Sequence, residues 1–117
     1  MNAALACAQL ENLNNFIADK RRLAKEYAAY FSNVDWGEFF LEPINCQSNY
    51  WLNAVIAQDK SQRNALLKIS NEAGVMTRPL WRLMSDLKIF EMCQTDSLEN
   101  SKWLQRRVVN LPSSALE

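Results

Sequence analysis

A guanidinium and an indole stand within four residues of each other in Gly74-Val75-Met76-Thr77-Arg78-Pro79-Leu80-Trp81. Arginine presents a planar fork of donors suited to phosphate or carboxylate, and tryptophan offers a flat apolar face. The backbone around them is constrained at two points. Gly74 follows a helical pattern and suits the position just past a helix end, where a left-handed conformation costs glycine little. Pro79 pushes Arg78 toward extended backbone, so Arg78 is expected to project from a strand or its end. The stretch reads as half of a binding site for an anionic ligand with a ring. The competing readings are a strand-edge Arg78 paired with a surface carboxylate such as Glu72, and a Trp81 buried as core.

Composition narrows the rest. The chain has 117 residues and no histidine, which removes the commonest general base and the commonest zinc ligand. That argues against a self-sufficient hydrolase or metalloenzyme, and no catalytic or metal-binding residue is assigned. Basic and acidic residues balance at 13 each, so a nucleic acid is not the expected partner. The cluster Lys20-Arg21-Arg22 reads as a solvated helix face. Cys7, Cys46 and Cys93 are widely spaced with no CxxC, and read as reduced packing residues of a cytoplasmic protein. No apolar run approaches the ~20 residues that cross a bilayer, and no signal peptide pattern opens the chain. With Gly37 and Gly74 the only glycines, a glycine-rich phosphate loop is not possible.

The elements that must position Arg78 and Trp81 follow from periodicity. Residues 3 to 31 read as one long helix, with Leu10, Leu13, Ile17, Ala24, Tyr27 and Phe31 at helical spacing. Its first turns, Ala3 to Ala8, are apolar around the whole circumference, as in a helix end buried on all sides. A domain of this size has too little material to surround them, so a partner for that end is expected. Residues 33 to 45 read as a looser segment, with Gly37 and Pro43 bracketing Phe39-Phe40-Leu41. Tyr50, Leu52, Ala54 and Ile56 alternate with Asn49, Trp51, Asn53 and Val55, which predicts a first strand whose less apolar face carries Asn49, Trp51 and Asn53.

Asp59 with Gln62 forms a capping box for a helix over residues 60–73, with Leu66, Ile69 and Ala73 facing inward. Residues 75–80 form the second predicted strand. Asp96 with Glu99 suggests a further capping box for a helix over 97–107, packing through Leu98, Trp103 and Leu104. A third strand, 108–111, ends at Pro112; Asn110 and Ser113-Ser114 read as strand-end and turn residues. The sum is an α+β domain: a long leading helix, then a three-stranded antiparallel sheet with helices on one face. Residues 1–117 form a single domain, divided into a leading helix over 2–32, an α+β body over 33–114 and a tail over 115–117. Met1 and Leu116-Glu117 read as cloning additions, the latter a tag remnant.

Three segments carry a resemblance. Asn2-Ala3-Ala4-Leu5-Ala6-Cys7-Ala8-Gln9-Leu10-Glu11, the Gly74 to Trp81 stretch, and Arg107-Val108-Val109-Asn110-Leu111-Pro112-Ser113-Ser114, in this order and at these separations, resemble the C-terminal part of the DegT/StrS-type sugar-nucleotide aminotransferases. Ser48-Asn49-Tyr50-Trp51-Leu52-Asn53-Ala54 adds a fourth point. Those are fold-type I enzymes dependent on pyridoxal 5'-phosphate (PLP). The resemblance covers nearly the whole chain, which would be about the last third of such an enzyme.

The resemblance implies the small domain of a truncated enzyme. The Schiff-base lysine, its acidic partner and the phosphate cup belong to a large domain upstream of Asn2. None of Lys20, Lys25, Lys60, Lys68, Lys88 and Lys102 has the surroundings of a catalytic amine, so this chain alone is expected to be inactive and to hold no PLP. Arg78 would meet a phosphate of the nucleotide sugar or of the cofactor, and Trp81 would stack on a sugar or base. The parent would be a homodimer that moves an amino group from glutamate onto a UDP-linked keto sugar, for bacterial surface glycans. Relatives continue the turn with a proline and a histidine two and four residues after the aromatic; Leu83 and Ser85 stand there instead, which removes a histidine contact to substrate. Asn2 is assigned no role. A reading from another class is a non-catalytic interaction or regulatory module that docks through the apolar leading helix.

Overall fold

Four short strands, antiparallel to their neighbours and ordered β1-β2-β4-β3, make the sheet around which the chain is arranged. The computed structural model describes residues 2–115; Met1 and the Leu116-Glu117 tail lie outside them. In chain order the elements are α1 (Asn2–Glu11), α2 (Leu13–Phe31), β1 (Gly37–Phe39), β2 (Asn53–Ala57), α3 (Lys60–Glu72), β3 (Arg78–Pro79), α4 (Glu99–Gln105) and β4 (Val108–Leu111). Two single 3₁₀ turns, Met84–Asp86 and Lys88–Phe90, lie between β3 and α4.

The register sorts side chains into two faces. Phe39 opposes Val55 and Val55 opposes Val109, which places all three on one face. Ala24 and Phe31 of α2 join them in the core, and Tyr27 and Ala28 of α2 and Leu66 and Leu67 of α3 pack against it. α2 and α3 thus cover one face, and Asn53, Val55 and Ala57 are its buried row. The other face presents Glu38, Ala54, Ile56, Val108, Asn110 and Arg78.

Several expectations are corrected. The sheet has four strands, because Gly37–Phe39 pairs with β2; a Cβ on Gly37 would sit 3.1 Å from Val55 Cγ2, so a larger residue would crowd this pairing. The leading helix is two helices. The Asn12 side-chain amide donates to Ala8 O at 3.1 Å, the carbonyl that its own N–H would use in a continuous helix. Every residue of α1 is exposed, including Leu5 at 63% and Leu10 at 66%. The first predicted strand starts late and faces the other way. Ser48 Oγ accepts from Tyr50 N–H and Asn49 Oδ1 from Trp51 N–H, short local turns that hold Tyr50 at a φ of 46° and keep residues 49–52 out of the ladder.

The α3 cap is as read: Asp59 accepts from Gln62 N–H at 2.8 Å. Its inward residues are Leu66 and Leu67, while Ile69 and Ala73 are exposed. Asp96 accepts from Leu98 N–H at 2.8 Å, which fixes Leu98 in a left-handed conformation and delays α4 to Glu99. The second strand shrinks to Arg78–Pro79. Cys7, Cys46 and Cys93 are exposed and unpaired, not packing residues. Among the described residues no helix is long and apolar enough to cross a membrane, and no metal-binding cluster is present.

One ion pair ties α2 to the segment before β2. Arg21 donates to both Glu42 oxygens at 3.0 and 2.6 Å and to Ser48 O, and the Ser48 N–H donates to Glu42 Oε2 at 2.6 Å. The Arg21 hydrogen bond, followed by that from Ser48, holds the Glu42 carboxyl below its ordinary value of 4.5. A carboxyl depressed by folding stabilises the native state above its unfolded value, and that stabilisation fades as pH falls through the folded value. Urea midpoints measured from about pH 6 to pH 3 are therefore expected to drop below about pH 4.5, and Glu42→Gln is expected to make that drop shallower.

Candidate functional site

Arg78 is placed by its backbone, from both directions. On the helix side, α3 ends in a full Schellman motif: Val75 N–H donates to Ser70 O at 2.8 Å and Gly74 N–H to Asn71 O at 3.1 Å. Gly74 sits at a φ of 80°, the left-handed value that this motif requires and that only glycine takes without strain. The chain then runs back along the helix end and Thr77 is clasped there. Ser70 gives its own hydroxyl proton to Leu66 O at 2.6 Å, so it accepts from Thr77, 2.6 Å away. Asn71 Nδ2 donates to Thr77 Oγ1 at 3.0 Å and to Thr77 O at 3.2 Å. Thr77 retains 3% exposure.

On the sheet side, Arg78 pairs with Asn110 and Pro79 with Val109. β3 is an edge strand, the position where a proline costs the sheet no internal hydrogen bond. With Thr77 turned into the interior, alternation turns Arg78 to the open face beside Asn110. Leu52, Arg78, Pro79, Leu80, Trp81, Arg82 and Asn110 line a cleft of about 480 Å³ there. Among the described residues its lining has two guanidiniums, one indole, one carboxamide and no carboxylate. Trp81 is 66% exposed and therefore not core. Among the described residues, the one side-chain hydrogen bond of the Arg78 guanidinium goes to Met76 Sδ at 3.6 Å. Glu72, the alternative partner, lies 4.0 Å from Lys68 instead. The cleft suits an anion held by the guanidiniums with a ring against Trp81.

Asn49, Trp51 and Asn53, the less apolar face of the predicted first strand, do not gather here. Asn49 and Trp51 line a separate hollow of about 360 Å³ with Leu13, Phe16 and Ile17. Asn53 is buried on the helix-covered face, where its main-chain N–H donates to Ser113 Oγ at 2.7 Å. Ser113 is a buried anchor and not a surface turn residue. Sequence reasoning missed Arg82 and Asn110 as members of the cleft. Arg82 follows Trp81 directly and so carried a local signal; Asn110 reaches Arg78 only through strand pairing.

The model of the DegT/DnrJ/EryC1/StrS aminotransferase family matches residues 1–116. The chain belongs to this family. Its fold is similar to that of the aminotransferase TlmJ from Streptoalloteichus hindustanus, at 24% identity and a TM-score of 0.87, over 98% of this chain and 31% of TlmJ. It is similar to PseC of Helicobacter pylori, an aminotransferase involved in the biosynthesis of pseudoaminic acid, at 14% identity and a TM-score of 0.85, over 96% of this chain and 31% of PseC. A third similar structure is the GDP-4-keto-6-deoxy-D-mannose-3-dehydratase of E. coli with bound hydrated PLP, at 20% identity and a TM-score of 0.83, over 97% and 31% of the respective chains. The chain of this family member thus spans less than a third of the length of these three relatives.

The clasp on Thr77 is testable without any ligand. Thr77→Val keeps the shape but leaves Ser70 and Asn71 short of a partner, and is expected to cost about 1–3 kcal/mol in urea unfolding. Thr77→Ser, which keeps the hydroxyl, is expected to recover most of that loss.

Proposed function

We propose that this chain is the C-terminal small domain of a PLP-dependent aminotransferase acting on a nucleotide-linked keto sugar, with Arg78 and Trp81 as substrate-binding residues. The observation that carries this reading is an open arginine–tryptophan cleft in a domain whose family match runs over residues 1–116. The E. coli relative supports it further, since it is named for a GDP-linked keto sugar and holds PLP. The nucleotide in this reading is UDP, the amino donor glutamate, the product a building block for bacterial surface glycans, and the parent a cytoplasmic homodimer.

The residues of this chain do not fit the cofactor. No lysine lines the cleft; Lys20 is bonded to Ser113 O, and Lys102 to Ser97 O at 3.1 Å. Gly37 lies within β1 and Gly74 ends α3, so neither belongs to a phosphate loop. The reading assigns PLP, which supplies the electron sink for amino transfer, to a large domain preceding this one. This domain's share is to bind and orient the sugar nucleotide. The guanidinium of Arg78 neutralises phosphate, and the face of Trp81 covers a ring and keeps water from it. The exposed apolar α1 is the surface that the large domain would cover, and the same exposure would serve an interaction module.

The longer protein that includes the preceding domain separates these readings. It is expected to absorb visible light as isolated, and borohydride is expected to bleach that band. A colourless protein that also takes up no added PLP overturns the enzyme reading in favour of the module. In the active parent, Arg78→Ala is expected to lower kcat/KM by about 1–3 kcal/mol, the size of a lost charge-assisted hydrogen bond. Unchanged kinetics would remove Arg78 from the substrate site.

A further inference from the structure

We propose that the free edge of β1, with the groove beside it, docks an extended segment of a partner protein that carries a lysine or arginine side chain. β1 stands at the opposite end of the strand order from β3, and the inference does not rest on the reading of the Arg78 cleft.

Among the described residues β1 pairs only with β2. Gln58 N–H donates to Trp36 O at 3.1 Å and Phe40 N–H to Ala54 O at 2.9 Å, so residues 36, 38 and 40 turn their main-chain groups toward β2. Alternation then points the N–H and C=O of Gly37 and Phe39 away from it. Phe39 is buried. Gly37 is only partly buried and has no side chain to hold another chain off. A residue of an incoming strand can exchange both main-chain hydrogen bonds with it, as in strand addition to a sheet edge.

A groove of about 450 Å³ beside this edge receives the side chain. Its apolar lining includes Ala28 and Phe31 of α2, Phe39, Ile56 and Trp103. Charge selects the occupant. The lining also has Asp35 and Glu38 and, among the described residues, no lysine or arginine. Both acidic residues are exposed, and neither forms an ion pair among the described residues. The Gln58 amide donates to Asp35 O, which fixes the main chain there and leaves the carboxylate free. α2 ends at this groove with no basic residue in its last turn, so the negative end of its dipole adds to the same field. Arg107 is engaged elsewhere, over the Trp103 ring at 4.5 Å and bonded to Gln58 O at 3.0 Å. A second copy of this chain would set Asp35 and Glu38 against their own like. A basic side chain instead meets the carboxylates with its head and the apolar lining with its stem.

The test is an amide-resolved NMR titration of the chain with the capped tripeptide Val-Arg-Val. The controls are capped Val-Glu-Val, a Val-Arg-Val methylated at every main-chain nitrogen, and agmatine, a guanidinium without a peptide. Val-Arg-Val is expected to move the amide signals of Gly37 and Glu38 and the Trp103 indole, and the three controls to move them far less. Asp35→Asn combined with Glu38→Gln is expected to weaken Val-Arg-Val on the order of tenfold. Glu91→Gln removes an exposed carboxylate outside the groove and is expected to change nothing. The dispersion of each variant's amide spectrum reports its fold.

The proposal is overturned if Val-Glu-Val binds as well as Val-Arg-Val, or if the double variant binds Val-Arg-Val as tightly as wild type. Equal binding of agmatine or of the methylated peptide overturns strand addition and makes the groove a site for small cations. Self-association of the double variant, with no peptide binding by wild type, overturns the proposal and makes the two carboxylates a guard against self-pairing of the edge. In the longer protein that includes the preceding domain, Val-Arg-Val is expected to bind equally. Loss of binding there overturns the proposal, because the groove is then covered within that protein.

Discussion

Val55 and Val109 face the same helix-covered side of paired strands and each is 0% exposed. Pairing β2 with β4 closes a long loop, and the entropy lost in closing it must be offset by that burial and by the ladder. Everything between them, α3, the Thr77 clasp, β3 and α4, lies inside the loop. Among the described residues, β3 in turn has no sheet neighbour except β4. The cleft draws Leu52 from the approach to β2, Asn110 from β4 and Arg78 from β3. Without the central pair, its three walls would have no fixed relation.

Features set by neighbours in sequence were legible before the structure. The α3 cap, the glycine that ends α3, the extended backbone before Pro79 and the strand that stops at Pro112 all follow from local sterics and local hydrogen bonds. What failed were choices between competing local signals. Asn12 has helical neighbours on both sides, yet its amide takes a main-chain acceptor. In β2 both alternating sets carry apolar residues, so period two alone did not say which faces the helices. Val55 decides it by meeting Phe39 and Val109 on neighbouring strands. β1 is three residues long, too short to show a period.

The site divides in the same way. That Arg78 and Trp81 share one open cleft was legible because a helix stop and a proline fix the backbone around them. Asn110 was not, since its place beside Arg78 is a matter of register between distant segments. Arg82 lay in plain view but without a constraint such as Pro79 to say where its side chain points. The exposed α1 had its signal in the sequence, since Ala3 to Ala8 are apolar around the whole circumference; relatives with this fold are more than three times the length of the matched part.

Arg21 and Arg78 show how one residue type takes opposite parts in one small domain. Arg21 meets the Glu42 carboxylate, the Ser48 carbonyl and the ring of Tyr50, whose centroid is 5.6 Å away. Its hydrogen bonds hold the chain together. Arg78 has equal capacity, but the fold secures only its main chain, through Thr77 on one side and Asn110 on the other. A fixed root with a free head confines the guanidinium to one mouth of the sheet. Under the proposed substrate role, less freedom would be left to lose on binding an anion. A carboxylate within reach of Arg78 would compete with any such ligand for the same fork. The thioether of Met76 is too weak an acceptor to do so.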